Sequence, residues 1–379
     1  RRYLHRFNEL CEYAYSIIAQ EVGKMMLLIG DVREKLKEMD YRSVQCCVTS
    51  PPYWGLRDYG TAEWEGGDEN CEHIKEIDVS KSGLGGGKET QKKANFFRNT
   101  CNNCGAKRKD SQLGLEETPE EYVENMVKVF REIKRVLKDD GTCWLNLGDS
   151  YSSGQRTTTT NQTVRGEKDY GVTRPPICKG IKPKDLVGIP WRVALALQQD
   201  GWYLRQDIIW HKPNPMPESV QDRCTKSHEY IFLLTKSARY YYDADSIREP
   251  VSEVSLKRAE YGWDCDRPST KNASLGGEGI HTEKMGSRFV NPKGRNKRSV
   301  WTITTKPFKD AHFAVFPIEI PTYCIKAGSK EGDTILDPFM GSGTTALAAQ
   351  EHGRKWVGVE LNPEYAEIIK KRTSQTVLF

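Results

Sequence analysis

Long apolar runs are missing from this 379-residue sequence, in which hydrophobic residues make up only 37%. Because no run of about 18 apolar residues occurs, we expect no membrane-spanning helix and no membrane partner. Residues 1–24 mix apolar and charged side chains like an amphipathic helix, and they lack the continuous apolar segment of a secretion signal. We therefore expect an intracellular protein.

Paired cysteine spacings and a strong net charge are missing as well. The eleven cysteines do not follow the spacing of a secreted disulfide scaffold, so we expect reduced thiols, a few of them bound to a metal. The formal net charge of +5 says little by itself. Its distribution is more informative, because residues 284–309 contain eight Lys or Arg and no Asp or Glu.

Short apolar segments alternate with helical patterns along the chain, and no internal repeat interrupts them. This alternation predicts an α/β fold with a mostly parallel, doubly wound sheet. Strands are predicted at residues 25–29, 44–48, 142–147, 203–210, 229–235, 239–243, 334–336 and 355–359, and those at 229–235 and 239–243 are expected to pair. Helices are predicted at residues 33–39, 119–137, 190–199 and 346–352.

The chain is longer than a usual single domain, so we expect added modules around one core. The predicted divisions are a helical extension at 1–24, core halves at 25–243 and 311–379, and a polar, basic region at 244–310. Two polar segments interrupt the first half of the core. These are an insertion at residues 60–112 and a mobile loop at residues 150–182.

The segment from Asp337 to Thr345 has the form of a ligand-binding turn, because it joins a predicted strand to a predicted helix. Gly341 and Gly343 leave no side chain between backbone and ligand, and the helix start offers unpaired N–H groups. Glu360 ends the next strand, where an acid can bind two ribose hydroxyls. The third glycine of a dinucleotide site is absent. Taken alone, the turn could still be purely structural.

The loop Ser50-Pro51-Pro52-Tyr53 directly follows the predicted strand at residues 44–48. Its two prolines exclude both a helix and further strand pairing, which predicts a rigid loop at the carboxyl end of a strand. In isolation, the same four residues would also fit a structural loop or a proline-rich ligand segment.

The loop and the glycine turn together resemble the S-adenosylmethionine-dependent amino-methyltransferases of DNA. Phe339-x-Gly341-x-Gly343 is similar to cofactor motif I of that family, and Glu360 to the ribose-binding acid of motif II. Gly30-Asp31 is similar to motif III, and residues 312–317 to motif X. The catalytic motif precedes the cofactor motif, as in the family's beta group. The resemblance extends over most of residues 25–372.

This resemblance implies a Rossmann-like class I methyltransferase fold with a permuted motif order. Residues 25–243 then form the catalytic half of the core and residues 311–379 the cofactor-binding half. The implied cofactor is S-adenosylmethionine, bound by Asp31, Phe316, Pro317, Asp337, Phe339, Gly341, Gly343, Thr344 and Glu360.

The chemistry of the reaction assigns a role to each residue of the loop. An exocyclic amine is a poor nucleophile, so the enzyme must draw off its hydrogens and hold its nitrogen in line with the methyl group. Ser50 and the Pro51 carbonyl are expected to accept those hydrogens, Pro52 to stiffen the turn, and Tyr53 to stack on a flipped-out base. Serine at the first position resembles the cytosine-N4 members, whereas adenine N6 is the alternative target.

The predicted insertion contains Cys71-x-His73 and Cys101-x-x-Cys104-Gly105. Three cysteines and one histidine could close a tetrahedral structural zinc site, and a metal would supply folding energy that a polar insertion lacks. The alternatives are four unrelated residues or a redox pair formed by Cys101 and Cys104.

Residues 244–310 occupy the position of the family's target-recognition region, and the implied partner is double-stranded DNA. Phosphate contacts are predicted for its basic cluster, which could otherwise be a solvated surface, and base or phosphate contacts for other residues. His211 and Lys212 could equally belong to a proline-stiffened strand end. The predicted DNA-contacting residues are Trp54, Arg57, His211, Lys212, Arg288, Lys293, Arg295, Lys297 and Arg298, and Asn291 is a further candidate base contact.

Other activities are compatible with parts of this pattern. A decayed, zinc-stabilised DNA-binding protein would be expected to lose Ser50, Tyr53 or the motif I glycines, all of which are present. A glutamine or RNA amine methyltransferase would not need residues 244–310. The resemblance also allows a homodimer. It places the protein in the cytoplasm or nucleoid if bacterial or phage, and in the nucleus if eukaryotic.

Overall fold

The computed structural model describes residues 25–55, 61, 63–68, 70–71, 100–101, 103–152, 181–254, 257, 291, 293–306 and 315–374. Of these, the residues up to Tyr241 and from Val300 onward form one compact unit, and those between Tyr242 and Ser299 form a second. The predicted extension at residues 1–24 lies outside the described residues. So do residues 153–180, most of the predicted loop at 150–182.

Strands of the first unit form one large sheet and one small one. Their bounds are β1 (Met26–Ile29), β2 (Val44–Thr49), β3 (Glu63–Glu65), β4 (Lys107–Lys109), β5 (Leu137–Leu147), β6 (Tyr203–His211), β7 (His228–Thr235), β8 (Val300–Thr302), β9 (Thr334–Asp337) and β10 (Lys355–Glu360). Eight of these described strands form the large sheet in the order β1-β10-β9-β2-β5-β7-β6-β8. The other two, β3 and β4, form an antiparallel pair.

Helices connect the strands of the large sheet. They are α1 (Val32–Lys35), α2 (Pro119–Val136), α3 (Ile189–Gln199), α4 (Glu319–Gly328), α5 (Thr344–Glu351) and α6 (Pro363–Ser374). The helix pairs α2–α3 and α4–α5 pack against each other. Each helix in the described residues is too short or too polar to span a lipid bilayer.

Strand direction confirms the predicted mostly parallel, doubly wound α/β fold. β1, β10, β9, β2 and β5 are mutually parallel, and β6 pairs in parallel with β8. β7 is antiparallel to both of its neighbours, β5 and β6. Among the described strands of this sheet, β7 therefore runs against the other seven. The carboxyl ends of those seven and the amino end of β7 meet at one edge.

The boundaries of α2 follow from its sequence. Thr118 caps the helix, its hydroxyl accepting a hydrogen bond from the Glu121 N–H (3.2 Å), and Pro119 occupies the first turn. Tyr122, Met126 and Phe130 lie on one buried face of the helix, against the core. The chain then passes directly into β5 at Leu137, so this strand begins five residues before the predicted start at 142.

The predicted strand at residues 239–243 is wrong. β7 was expected to pair with it, but β7 is already bonded on both sides, to β5 and to β6. A strand has only two edges, so β7 has no edge left for a third partner. The segment instead bonds to the start of β5 through the Tyr241 N–H, which donates to the Asp140 carbonyl (2.8 Å).

Candidate active site

The polar residues predicted to be functional collect at the carboxyl edge of the large sheet. Ser50 follows β2, the 337–345 turn follows β9, and Glu360 ends β10. β7 enters the same edge with Glu229 at its second position, because it runs in the opposite direction. Ligands of open α/β sheets bind at this edge.

A cavity of about 960 Å³, including its part open to solvent, lies at this edge. Six of the predicted cofactor-binding residues line it: Asp31, Phe316, Phe339, Gly341, Thr344 and Glu360. The walls also include Ser50 and Pro52 of the proline loop, so that loop and the glycine turn share one cavity.

Glu360 is a buried carboxylate in the cavity wall. Its Oε2 accepts a hydrogen bond from the Gly341 N–H (2.8 Å), and its Oε1 accepts one from the Asn362 N–H (2.9 Å). Burial raises the pKa of Glu360 to about 7, although these backbone bonds oppose the shift. The carboxylate is therefore held in a fixed orientation, with lone pairs left to accept hydrogen bonds from a ligand.

The glycine turn leaves open space beside its backbone. Gly341 and Gly343 have φ values of 53° and 81°, in the left-handed region that disfavours side chains. A Cβ at Gly341 would meet no atom closer than 4.0 Å. This open space in the cavity wall fits the close approach of a ligand to the backbone.

Three predicted cofactor-binding residues are not among those lining the cavity. Asp337 is buried, and its oxygens accept hydrogen bonds from Thr49 Oγ1 (2.7 Å) and Thr345 Oγ1 (2.6 Å). Asp337 therefore ties the end of β2 to the start of α5, and burial raises its pKa to about 6. Gly343 caps α5, and the Pro317 carbonyl accepts a hydrogen bond from Ile320 at the start of α4.

Asp31 lines the cavity, but its carboxylate is already engaged. It caps α1 by accepting a hydrogen bond from the Arg33 N–H (2.8 Å), and it forms an ion pair with the Arg33 guanidinium (2.5 Å). Burial alone would raise the pKa of Asp31, but the bonds from Arg33 hold it below its ordinary value. The residue is thus an ionised carboxylate at the cavity wall.

Ser50 and Tyr53 belong to a polar cluster that sequence reasoning only partly found. Ser50 Oγ lies 3.2 Å from Asn146 Oδ1, and the Tyr53 hydroxyl donates to Glu229 Oε2 (2.7 Å). Asn146 Nδ2 donates to the same Glu229 oxygen (3.2 Å). Burial, followed by the Glu229 charge, raises the pKa of Tyr53 well above its ordinary value. The phenol therefore stays protonated and remains a donor.

Asn146 and Glu229 are the site residues that the sequence analysis missed. The second Glu229 oxygen is paired with Lys212, whose ammonium also lies 4.2 Å from the Trp210 ring centre. Both residues are polar side chains among apolar strand residues, and this pattern could have identified them. Asn146 lies within the apolar residues 144–147, and Glu229 lies at the start of β7. Burying such groups is costly unless they are hydrogen-bonded, so their presence indicates a function.

The neighbourhood of the proline loop is rigidly held. The Pro52 carbonyl accepts a hydrogen bond from the Tyr122 hydroxyl (2.9 Å), and Trp54 Nε1 donates to the Glu116 carbonyl (2.9 Å). Trp54 is 1% exposed and belongs to the core. This position does not fit its predicted contact with DNA, because a base cannot reach a buried indole. Arg57 lies outside the described residues.

His211 ends β6 at the same edge of the sheet. Its ring Nδ1 lies 3.2 Å from Thr302 Oγ1 on β8, and the neighbouring Lys212 N–H donates to the Ser227 carbonyl (2.7 Å). The structure thus brings Lys212 into the Glu229 cluster and places His211 beside it on the adjoining strand.

Three of the four predicted metal ligands come together. The Sγ atoms of Cys71, Cys101 and Cys104 all lie within 4.8 Å of one another. The fourth predicted ligand, His73, lies outside the described residues.

The predicted basic cluster lies in the second compact unit, where it is paired with acids. Lys293 bonds to Asp245 (2.7 Å), while Arg295 (3.1 Å) and Arg298 (3.0 Å) bond to Glu249. Lys297 lies 4.0 Å from Glu249. Asn291 caps the local turn by accepting from the Lys293 N–H (2.9 Å). Arg288 lies outside the described residues.

Known proteins are similar to this chain in sequence or in fold. A family profile described as DNA methylase matches residues 44–371. The chain is 41% identical over 367 residues to the type II methyltransferase M.SmaI of Serratia marcescens, with 96% of each protein covered. It is 40% identical over 352 residues to M.Cfr9I of Citrobacter freundii, which covers 93% of this chain and 88% of that protein. The fold is similar to that of PvuII DNA methyltransferase (cytosine-N4-specific), with a TM-score of 0.51, 16% identity and coverage of 94% and 93%.

Proposed function

The chain belongs to the DNA methylase family, and we propose that it transfers a methyl group from S-adenosylmethionine to the N4 amine of cytosine in duplex DNA. The relatives M.SmaI and M.Cfr9I are named as type II methyltransferases, which supports modification within a specific recognition sequence. The cytosine assignment depends on Ser50 at the first position of the proline loop, as in the cytosine-N4 members that this loop resembles.

One observation carries the proposal. Ser50 lies in the wall of the glycine-turn cavity, and its hydroxyl is also within hydrogen-bonding distance of Asn146 in the Tyr53–Glu229 cluster. A nucleophile held by Ser50 would therefore lie between the methyl-donor cavity and the polar cluster. Methyl transfer needs this arrangement, because both reactants must meet in line.

The cavity residues fit the methyl donor. When bound, S-adenosylmethionine supplies a methyl group on a positively charged sulfur. Glu360 is proposed to accept hydrogen bonds from ribose hydroxyls, and its carboxylate is oriented by backbone N–H groups. The open space beside Gly341 admits the donor close to the backbone, and Phe316 and Phe339 offer apolar wall.

Asn146 prepares Ser50 to act as an acceptor. A hydroxyl has one hydrogen and two lone pairs. When its hydrogen points to Asn146 Oδ1, 3.2 Å away, the lone pairs of Ser50 are free to accept an amino hydrogen from the target base. The Pro51 carbonyl is proposed to accept the second amino hydrogen. Together these contacts localise the nitrogen lone pair toward the methyl group.

Tyr53 is proposed to stack on the target base after that base has left the helix. Unstacking and unpairing a base costs about a few kcal/mol, which contacts inside the site must offset. The phenol is anchored at its hydroxyl by Glu229 (2.7 Å), so the ring does not have to be ordered when the base arrives.

Product analysis tests the proposal. The protein is incubated with S-adenosylmethionine and duplex DNA, and the digested nucleosides are identified by mass spectrometry. We expect N4-methyldeoxycytidine. N6-methyldeoxyadenosine as sole product would contradict the choice of cytosine, and methylation of RNA or protein instead of DNA would contradict the substrate class.

Two serine variants, one a test and one a control, extend that experiment. Ser50→Ala removes the proposed acceptor, and we expect the methylation rate to fall about 100-fold or more. Ser43→Ala is the matched control, because the Ser43 hydroxyl only bonds to the Asp40 carbonyl (2.8 Å) before β2 begins. It should retain the wild-type rate.

A further inference from the structure

Three thiols meet beside the small β3–β4 sheet, away from the proposed chemistry. The Sγ atoms of Cys71 and Cys101 are 3.7 Å apart, and the Sγ of Cys104 lies within 4.8 Å of both. Methyl transfer from a sulfonium needs no thiol, so the function proposed above does not account for this cluster.

The distance between the Cys71 and Cys101 sulfurs matches that in a tetrahedral zinc site. Zn–S bonds of about 2.3 Å at tetrahedral angles place neighbouring sulfurs about 3.8 Å apart. The observed 3.7 Å between Cys71 and Cys101 agrees with this spacing. It is far longer than a disulfide bond, which is about 2.05 Å.

The backbone around the thiols is folded as a tight knuckle. The Gly105 N–H donates to the Cys101 carbonyl (2.9 Å), and the Cys101 N–H donates to the Ala106 carbonyl (2.7 Å). Gly105 has a φ of 75°, and Gly67 has a φ of 78°. A Cβ at Gly67 would lie 2.6 Å from Cys104 Sγ, so only glycine fits beside this sulfur. These bonds hold the Cys101 and Cys104 thiols on one side of the turn.

The knuckle continues directly into the wall of the donor cavity. β3 and β4 pair antiparallel next to the thiols, and Asp110 follows β4. One Asp110 oxygen accepts hydrogen bonds from Thr61 Oγ1 (3.3 Å) and the Gln112 N–H (3.0 Å). Thr61 and residues 111–113 line the cavity that also contains Gly341 and Glu360.

We propose that Cys71, Cys101 and Cys104 bind a structural zinc ion, and that this ion holds the cavity wall formed by Thr61 and residues 111–113. A short two-stranded sheet of three-residue strands cannot bury enough apolar surface to be stable alone, so a metal would supply its folding energy. The metal site is independent of the proposed function, whereas its effect on the cavity rests on that function.

Metal content and donor binding test the two parts separately. Protein purified without chelator is analysed for zinc by mass spectrometry, and after exchange with Co²⁺ its absorption is examined for tetrahedral cobalt–thiolate bands. Binding of S-adenosylhomocysteine is measured by calorimetry before and after zinc removal, with circular dichroism to check that the sheet core stays folded. Cys71→Ser, Cys101→Ser and Cys104→Ser are compared with Cys224→Ser, an exposed cysteine outside the cluster.

We expect about one zinc per chain in wild-type protein and in Cys224→Ser, and loss of zinc in the other three variants. Removal of zinc should weaken S-adenosylhomocysteine binding about tenfold, because the cavity wall loses its support. Zinc-free wild-type protein without cobalt–thiolate bands would overturn the metal site. Unchanged ligand affinity after zinc removal would overturn the link to the cavity. Zinc-loaded protein that binds no S-adenosylhomocysteine would overturn the donor site, and the link with it, but not the metal site.

Discussion

Glu229 joins three polar groups of the active site through its two carboxylate oxygens. Tyr53 and Asn146 donate to one oxygen, and Lys212 pairs with the other. The side chains of Lys212 and Glu229 are only 20% and 14% exposed, so this ion pair is poorly screened by water. We therefore expect Glu229 to act as a positioning residue, which aims Tyr53 and Asn146 toward Ser50.

Glu229→Gln should slow methylation without weakening donor binding. The amide cannot accept from Tyr53 and Asn146 and also pair with Lys212, so Tyr53 and Asn146 lose their alignment. We expect the single-turnover rate to fall about 10- to 100-fold. Binding of S-adenosylhomocysteine should be unchanged, since Glu229 is not among the residues that line the donor cavity.

Glu218→Gln is the matched control for this prediction. Glu218 also pairs with a cation, Arg223 (2.6 Å), but both side chains are more exposed, at 30% and 27%. Its loss should change the rate little. Equal loss of rate and of donor affinity in Glu229→Gln would show that the residue only maintains the fold.

Glu360 makes donor binding depend on pH. Its pKa is raised to about 7 by burial, and an ionised carboxylate accepts hydrogen bonds from hydroxyls better than a protonated one. The affinity for S-adenosylhomocysteine should therefore fall as pH drops below about 7, by up to tenfold per unit. Calorimetry across this range should show the fall in wild-type protein and a nearly flat profile in Glu360→Gln.

Stability without ligand should respond to pH in the opposite direction. The pKa of Glu360 in the folded state lies above its ordinary value of 4.5, so its contribution to stability is full at low pH and is lost as pH rises through about 7. Above that pH, Glu360→Gln should melt at a higher temperature than wild-type protein. Glu367→Gln, which changes an exposed carboxylate on α6, should follow the wild-type curves.

At the scale of elements, the end of β5 positions the proline loop that follows β2. Gly148 comes directly after β5, and a Cβ there would lie 2.6 Å from Tyr53 Cε2. The absence of a side chain at Gly148 therefore sets the position of the Tyr53 ring. Two loops from neighbouring strands fit together at this point.

Gly148→Ala should displace the Tyr53 ring and slow methylation about tenfold, because small misplacements at a reacting centre are costly. The test is a double-mutant cycle with Tyr53→Ala, in which rates and thermal stability are measured for all four proteins. If Gly148 acts through Tyr53, adding Gly148→Ala to Tyr53→Ala should have little further effect. Independent, multiplicative losses would contradict this coupling.

The elements that carry strong local patterns were predictable from the sequence. The apolar run before Ser50 and the capped start of α2 each specify their own structure. Spatial neighbours without local signals were not predictable. Asn146 and Glu229 are 83 positions apart, and they meet only because β7 inserts beside β5 in the reverse direction. Because β7 lies between β5 and β6, both of its edges are already paired, and the strand expected at residues 239–243 does not form beside it.

At the scale of the whole molecule, the motifs and their order predicted the candidate site better than composition did. The cofactor and catalytic motifs lie at opposite ends of the sequence, yet β2 and β9 are neighbours in the sheet, so the two motifs share one cavity. The basic segment at residues 284–309 led to a less complete prediction, because the ion pairs of its basic residues were not foreseen. Its excess of positive charge is evident from sequence, but the acids that pair with it, Asp245 and Glu249, precede it by more than 40 residues.

We predict phosphate contacts for the basic cluster of the second unit, and its ion pairs affect how much each contact can contribute. Lys293 and Arg298 are each 67% exposed, whereas Lys297 is 11% exposed, so the first two are the better phosphate contacts. Both are paired with carboxylates in the structure. Phosphate must therefore replace or share these partners, which lowers the gain in affinity from each contact.

Neutralising Lys293 and Arg298 together should weaken binding to all DNA sequences. The affinity falls as salt rises, and each lost phosphate contact should reduce the steepness of log affinity against log salt by about 0.9. The steepness for the double alanine variant should therefore be about 1.8 smaller than for wild-type protein. Lys128→Ala, an exposed lysine on α2, is the control and should keep the wild-type slope. Glu249→Gln should strengthen binding, because Arg298 then loses the ion pair with Glu249 that competes with phosphate. Salt titrations of all four proteins with specific and unrelated duplexes provide the comparison. An unchanged slope in the double variant would mean that these cations stabilise the second unit through Asp245 and Glu249 and do not contact phosphate.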